Sequence, residues 1–320
     1  MKILVTGAAG FIGYHLARRL LADGHEVTGF DNFNDYYDVR LKEARHARLT
    51  PVPAYRGVRG DLCDYPLLQD LFRRERFDQV VHLAAQAGVR YSIDHPFTYI
   101  KSNVEGTLTI LEACRHHGVK RLIYASSSSV YGANAKLPFA EEDRCDAQVS
   151  LYGATKKTDE LMARCYTHLY GFETVGLRFF TVYGPWGRPD MAMWSFTRSI
   201  LDGRPIQVFN HGDMQRDFTF VDDIVQGICG AIRATGLAPC ELFNLGNHRS
   251  EKLLDMIAEL ERALGRKAEL QLLPMQPGDV PATYADIARA RDKLGFEPTT
   301  PISVGIPGFV AWFKEYHGIR

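Results

Sequence analysis

Val5-Thr6-Gly7-Ala8-Ala9-Gly10-Phe11-Ile12-Gly13 follows a short apolar run, Ile3-Leu4-Val5, and opens an amphipathic stretch over residues 14–22. The pattern is strand, glycine turn, helix. Glycines at 7 and 10 allow a tight turn and a close approach of backbone to a pyrophosphate, and glycine at 13 lets the helix lie close to its strand. The helix N-terminus then offers unpaired N–H groups and the positive end of its dipole to phosphates. Three glycines alone are also found in ordinary α/β turns, so the next strand matters. Residues 26–30 form a second β-like run that ends at Asp31, about 20 residues past the turn, where a carboxylate accepts hydrogen bonds from an adenosine ribose. Its charge repels a 2′-phosphate, which favours NAD over NADP; the bland alternative is an exposed Asp at a strand end.

The 320 residues suit two domains or one large α/β unit with a substantial core. Lys plus Arg and Asp plus Glu number 38 each, so no surplus positive charge points to nucleic acid or an anionic membrane as main partner. No signal-peptide pattern is read at the N-terminus, and no apolar stretch reaches about 18 residues, which predicts a cytoplasmic protein. Cys63, Cys114, Cys145, Cys165, Cys229 and Cys240 are scattered, without C-x-x-C pairs or metal-ligand spacing, as expected of free thiols. His116 and His117 are adjacent on a predicted helix and point apart, so they read as a solvated helix end and no metal site is expected.

Residues 32–50 read as a long loop with a helical portion, leading to a third strand over 54–58 and to Asp61-Leu62. Asp61 either meets the adenine amino group or caps a helix over 65–74. A fourth strand over 78–83 ends in Ala84-Ala85, small residues across which a cofactor can lie. A single helical stretch is predicted over 96–118, with Val104, Leu108, Leu111 and Ala113 at helical spacing. A fifth strand, 121–125, breaks into Ser126-Ser127-Ser128-Ser129. Alternating strands and helices predict a doubly wound parallel Rossmann sheet, whose ligands gather at the carboxyl ends of the strands. That rule separates the serine run from an ordinary flexible turn.

Tyr152-Gly-Ala-Thr-Lys156 lies on a predicted helix, so Tyr152 and Lys156 at i and i+4 share a face. A nearby ammonium favours the phenolate, which can take a proton from a sugar hydroxyl at neutral pH. A sixth strand over 173–180 leads into a Gly/Pro-rich stretch from Thr181, where a boundary is placed between a cofactor domain, 1–180, and a smaller C-terminal α/β substrate domain, 181–320. Residues 206–210 and 215–224 contribute a short strand and a strand-to-helix passage. The strand at 242–246 and the helix at 253–264 read as returns toward the first domain, and the chain is expected to rejoin the sheet of that domain near 221–247.

Taken together, Gly-x-x-Gly-x-x-Gly at 7–13, Asp31, the serine run and Tyr152-x-x-x-Lys156 resemble the extended short-chain dehydrogenase/reductase family over essentially the whole chain. The resemblance implies Ser127 as the catalytic Ser/Thr, Tyr152 as acid/base and Lys156 as the residue that binds the nicotinamide ribose and tunes the tyrosine. It places Gly7, Gly10, Phe11, Ile12, Gly13, Asp31, Asn32, Asp61, Leu62, Leu83, Ala84, Ala85, Asn103 and Ala125 at NAD. It places Arg90, Ser127, Ser128, Ser129, Thr181, Arg188, Val208, Phe209, Arg216 and Asp279 at a UDP-sugar. Arg216 of Arg-Asp-Phe binds the diphosphate in such relatives, or else pairs with Asp213 or Asp217. Asp279 in Pro277-Gly278-Asp279-Val280 meets the nucleotide ribose, or else belongs to a plain β-turn.

Where 4,6-dehydratases of the family carry Asp-Glu after the catalytic Thr, this chain has Ser128 and Ser129, which argues against dehydration. The stretch 181–192 and the loop Asn34-Asp35-Tyr36-Tyr37 look most like the UDP-glucuronate 4-epimerase branch, with Thr181 where UDP-glucose 4-epimerases usually have Asn. The implied reaction is NAD-dependent C4 epimerisation through a 4-keto sugar. The rival readings are a UDP-glucose 4-epimerase, a UDP-glucuronate decarboxylase and, outside enzymes, an NAD-sensing binding protein. Relatives pair through two helices per subunit, which makes 96–117 and 152–170 the candidates for a homodimer.

Overall fold

The computed structural model describes residues 1–276 and 279–319. Its centre is a seven-stranded parallel sheet in the order β11-β6-β5-β4-β1-β2-β3, built from β1 (Lys2–Thr6), β2 (Glu26–Asp31), β3 (Tyr55–Arg59), β4 (Gln79–His82), β5 (Arg121–Ser127), β6 (Glu173–Phe179) and β11 (Cys240–Leu245). The order reverses between β1 and β4, so the carboxyl ends of those strands open a crevice at the switch point. Residues of each strand alternate between two cores. Ile3, Val5, Val81, Ile123 and Val175 pack with α1 (Phe11–Ala22) and α9 (Val221–Arg233). Leu4, Val80, Leu122 and Tyr124 face α3 (Tyr65–Glu75), α6 (Gly106–His116) and α7 (Leu151–Tyr170). Because both faces are covered, the inner strands β1, β4 and β5 are buried along nearly their whole length, whereas the edge strand β3 is largely exposed.

The chain returns to this sheet after leaving it. β7 (Thr181–Tyr183) pairs with β10 (Phe218–Phe220), α9 packs on α1, and β11 adds to the β6 edge with Cys240 opposite Thr174. The remaining pieces are α8 (Ala192–Leu201), the paired strands β8 (Ile206–Val208) with β13 (Leu270–Leu272) and β9 (Gln215–Arg216) with β12 (Glu251–Lys252), and α10 (Leu253–Leu264), α11 (Ala288–Leu294) and α12 (Ile302–His317). The predicted return of helix 253–264 to the first domain is not what forms: α10 packs on α8 and α12, where its Met256, Ile257 and Leu260 are buried. Its apolar face was legible, its partner was not.

The helical stretch expected over 96–118 forms without a break from Pro96 to His116, but its middle is not α-helical. After short helical turns α4 (Tyr91–Asp94) and α5 (Pro96–Tyr99), residues Ile100–Glu105 form a wider π-helical turn before α6 begins. The widening turns Asn103 inward, where its side chain binds both backbone groups of Gln86: it accepts from the N–H at 2.8 Å and donates to the carbonyl at 3.1 Å. Such bulges are common beside functional sites. On the other side of the crevice α2 (Val39–Leu49) carries Arg45, which is fully buried. It donates to the carbonyls of Ala9, Trp186 and Gly187 and to the Tyr37 hydroxyl, joining the glycine turn to the loop after β7.

Gly7 has φ +71°, and a Cβ there would lie 2.8 Å from the backbone nitrogen of Ala84. A Cβ on Gly13 would overlap the carbonyl oxygen of Gly7. The start of α1 therefore rests directly on the turn. Replacing Gly13 with Val is expected to destabilise the protein by about 1–3 kcal/mol through overpacking and to lower the NAD content of the purified protein. Denaturant unfolding and extraction of bound nucleotide measure the two effects.

Candidate active site

The crevice has two connected lobes. The first is lined by Gly7, Gly10, Phe11, Ile12 and Gly13 from the turn, Asp31 and Asn32 after β2, Asp61 and Leu62 after β3, and Leu83, Ala84 and Ala85 after β4. Ala125, Ser127, Ser128, Ser129, Tyr152, Lys156, Thr181 and Arg188 line its other end. The second lobe holds Arg90, Phe209, Arg216 and Asp279, and Tyr36, Gly88, Val89, Thr181, Arg188 and Met191 line both.

The turn is closed by its own carboxylate. Asp31 Oδ2 accepts from the Ala9 N–H at 3.0 Å and Oδ1 from the Phe33 N–H at 2.8 Å. Each oxygen keeps a second lone pair for a ligand hydroxyl. Asp61 accepts from the Cys63 N–H and the Asn32 amide, and these bonds hold it below the ordinary carboxylate range although partial burial pushes it up. The helix cap belongs to Asp64, whose Oδ1 accepts from the Leu67 N–H at 3.1 Å. That assignment leaves Asp61 facing the crevice.

Helix α7 starts at the N-cap Ser150, which accepts from the Gly153 N–H, and ends at Gly171 with φ +77°. Its first turns place Tyr152 and Lys156 over the end of β5. Lys156 is 3% exposed and its Nζ donates to the Ala125 carbonyl at 3.0 Å and to Asp159 at 3.1 Å. An ammonium has three N–H groups, so one is left for the crevice. The four serines divide by role. Ser126 is buried and donates to Glu160 at 2.7 Å, and Glu160 is in turn bound by two nitrogens of Arg178. Ser127 Oγ accepts from the Ser129 N–H at 3.2 Å, so its own hydroxyl hydrogen remains free to donate. Ser128 and Ser129 begin the 3₁₀ turn Ser128–Tyr131.

The second lobe is rich in arginine. Arg90 pairs with Asp279 at 3.0 Å and its guanidinium lies 4.6 Å from the centre of the Phe209 ring. Arg216 donates to the carbonyls of Gln215 and Pro281, and burial lowers its affinity for its proton while Asp279 opposes this. It does not pair with Asp213 or Asp217. Asp217 is buried elsewhere, accepting from the N–H groups of Asn247 and Ala285, and burial pushes it up to about 6. Arg188 is gripped by Asp190 through two bonds of 3.0 and 2.8 Å, and the Tyr36 hydroxyl donates to the same carboxylate at 3.2 Å.

Two expected site residues lie elsewhere. Asn103 is fully buried and is spent on Gln86 and on the Thr155 hydroxyl, to which it donates at 3.0 Å; its neighbour Ser102 lines the first lobe. Val208 is fully buried because alternation along β8 turns it into the core, leaving Gln207 and Phe209 at the second lobe. Of the turn expected around Asp279, Pro277 and Gly278 lie outside the described residues. The crevice also takes in Gln86, Ala87, Gly88 and Val89, a continuation of the small-residue run that began at Ala84 and could have been read further.

Compared with known proteins, residues 3–246 match the family described as the NAD dependent epimerase/dehydratase family. UDP-glucuronate 4-epimerase 2 of Arabidopsis thaliana is 46% identical over 333 residues, covering 99% of this chain and 76% of that one. The crystal structure of UDP-glucuronic acid 4-epimerase from Bacillus cereus, in complex with UDP-glucuronic acid and NAD, superimposes with a TM-score of 0.93 at 35% identity, over 99% of this chain and all (100%) of that one. UDP-glucose 4-epimerase from Thermotoga maritima, with UDP-glucose, gives 0.90 at 30% identity, over 99% of this chain and 100% of that one. With a glycine turn, a Tyr152/Lys156 face and a family match that spans the whole doubly wound sheet, the chain belongs to the NAD dependent epimerase/dehydratase family.

Proposed function

We propose that the chain is an NAD-dependent UDP-glucuronate 4-epimerase, interconverting UDP-glucuronate and UDP-galacturonate through a 4-keto sugar. The observation that carries this reading is the meeting of Ser127, Tyr152, Lys156 and Thr181 with the glycine turn in one lobe. The likeness to UDP-glucuronate 4-epimerases in sequence and in structure supports the choice of substrate.

The first lobe fits NAD by its own construction. Gly10 gives α1 no side-chain cap, so the first N–H groups of that helix are free for a pyrophosphate. Asp31 would hold the adenosine ribose, Asp61 would meet the adenine, and the third Lys156 N–H would be available to the nicotinamide ribose. NAD, when bound, supplies the acceptor and donor of one hydride.

The remaining work belongs to the chain. Tyr152, in the field of the Lys156 ammonium, takes the proton from the C4 hydroxyl and later returns it. Ser127 donates its free hydroxyl hydrogen to the C4 oxygen as that oxygen becomes a carbonyl. Arg90, Arg216 and Phe209 hold the diphosphate and base in the second lobe, away from Tyr152. With its anchor fixed there, the sugar can turn and present its other face. Position 128 and position 129 are serines, so no acid or base stands ready to dehydrate the ring.

A 4-keto uronate is a β-keto acid and loses CO₂ when its carboxylate aligns with the carbonyl π-system. Ser128, Ser129 and Thr181 supply hydroxyls to hold the C6 carboxylate out of that alignment, and Arg188 bridges the lobes. The protein acts as a homodimer through α7 and the 96–116 stretch, whose Phe97, Leu161 and Leu169 are 86%, 54% and 64% exposed. All six cysteines are free, which suits the cytoplasm, and among the described residues no helix is long and apolar enough to cross a membrane.

Three outcomes are expected. Incubation with UDP-glucuronate yields UDP-galacturonate on chromatography, with little pentose product; a UDP-pentose as main product would instead mark a decarboxylase. Tyr152→Phe lowers turnover by about 10²–10⁴-fold while the bound NAD is unchanged. Light scattering gives twice the chain mass, and a monomer at working concentration removes the dimer.

A further inference from the structure

The helix that carries Tyr152 and Lys156 brings a third ionisable group to the same buried layer. Asp159 is 1% exposed, and its Oδ2 lies 3.1 Å from Lys156 Nζ. Its other oxygen, Oδ1, accepts no hydrogen bond. The ammonium does not need this carboxylate to be held, since the Ala125 carbonyl also accepts from it at 3.0 Å.

We propose that Asp159 is a positioning residue for proton transfer, offsetting part of the Lys156 charge so that the pull on Tyr152 is set by the ion pair and not by the lysine alone. This rests on the epimerase reading of Tyr152. The argument is one of geometry and charge. Tyr152 lies one turn before Lys156 on α7 and Asp159 lies one turn after it, so the tyrosine meets the ammonium end of a dipole. Where little water screens the site, a full positive charge acts strongly over several ångströms, whereas a closely paired one falls off faster. An oxidised nicotinamide brings a further positive charge to this lobe. With Asp159 ionised and Tyr152 as phenolate, the two positive charges are matched by two negative ones.

The groups packed around Asp159 leave Lys156 as its cation. His82 on β4 is kept neutral, since burial and then Lys156 lower it to about 3, and its ring bonds Thr6 and Thr107. Thr107 comes from α6. Tyr124 on β5 is buried and pushed well above its ordinary range. Glu160, the next residue on α7, faces Arg178 and Ser126. Burial pushes Asp159 itself up to about 6 against the pull of Lys156. As pH falls through that region the carboxylate takes up a proton and the ammonium is no longer offset, which strengthens its pull on Tyr152. The acidic limb of kcat is therefore shallower than a single protonation would give.

Asp159→Asn keeps the shape and removes the charge. Two readouts on the NAD-loaded protein test it: the pH profiles of kcat and KM with UDP-glucuronate, and a phenolate absorbance titration of each protein against its Tyr152→Phe counterpart. The expected result is a shift of both the acidic limb and the phenolate midpoint to lower pH by roughly half to one unit, with a steeper limb and KM within about twofold. An unchanged or raised phenolate midpoint overturns the proposal, as does a rise in KM without a shift. Because the absorbance titration needs no turnover, a wild-type protein without epimerase activity would refute the function while leaving the role of Asp159 to be decided. If Asp159→Asn does not fold, Asp159→Ser is read by the same titration.

Discussion

Everything at the reacting end depends on how α7 is fastened to the sheet. Side-chain bonds do this in succession along the helix: Lys156 to the carbonyl of Ala125, Glu160 to the hydroxyl of Ser126 and to two nitrogens of Arg178 of β6, and Thr167 to the hydroxyl of Thr174. The Arg178–Glu160 contact is a buried ion pair whose two partners are 1% and 3% exposed. Such a pair adds little net stability over an apolar contact, but removing one partner leaves the other charge uncompensated, at a cost of about 3–5 kcal/mol. Its value here is registration. It fixes the height of α7 against β5, and hence the position of Tyr152 relative to Ser127 at the end of that strand.

The two lobes divide the electrostatic labour. The first is lined by two buried lysines, Lys156 paired with Asp159 and Lys42 held by the carbonyl and side-chain oxygens of Asn34. The second is lined by Arg90, Arg188, Arg204 and Arg216 against Asp94, Asp190 and Asp279, a surplus of one positive charge, with Arg90 paired to Asp279. Under the proposed assignment, a sugar tethered there by its diphosphate would leave and re-enter the first lobe without the whole nucleotide dissociating, which is what a reaction that reads both faces of one carbon requires.

Much of this was legible because the chemistry sits at short, fixed spacings. Gly7, Gly10 and Gly13 specify a turn, Asp31 closes it at the next strand end, and Tyr152 and Lys156 share a helix face. The order of strands and helices gave the parallel sheet. What the sequence hid was burial and partner choice. Asn103 and Ser102 are adjacent, yet a π turn sends the first into the core and the second to the crevice. Val208 and Phe209 are separated in the same way by strand alternation. Asp61 is the cap that the sequence offers for the helix at 65–74, and the hydrogen bond from Leu67 gives that place to Asp64. The packing of α10 on α12 could not be read from an apolar stripe, because a stripe does not name its mate.

Arg45 has a consequence for how this protein can be altered. Its guanidinium is bound by three carbonyls and a phenol drawn from the glycine turn, the loop around Tyr37 and the loop after β7. These segments are far apart in sequence and share one buried donor. The unit of exchange between relatives is accordingly larger than any one loop: a graft of residues 184–190 that alters sugar preference carries its seat only if α2 and the 32–38 loop travel with it.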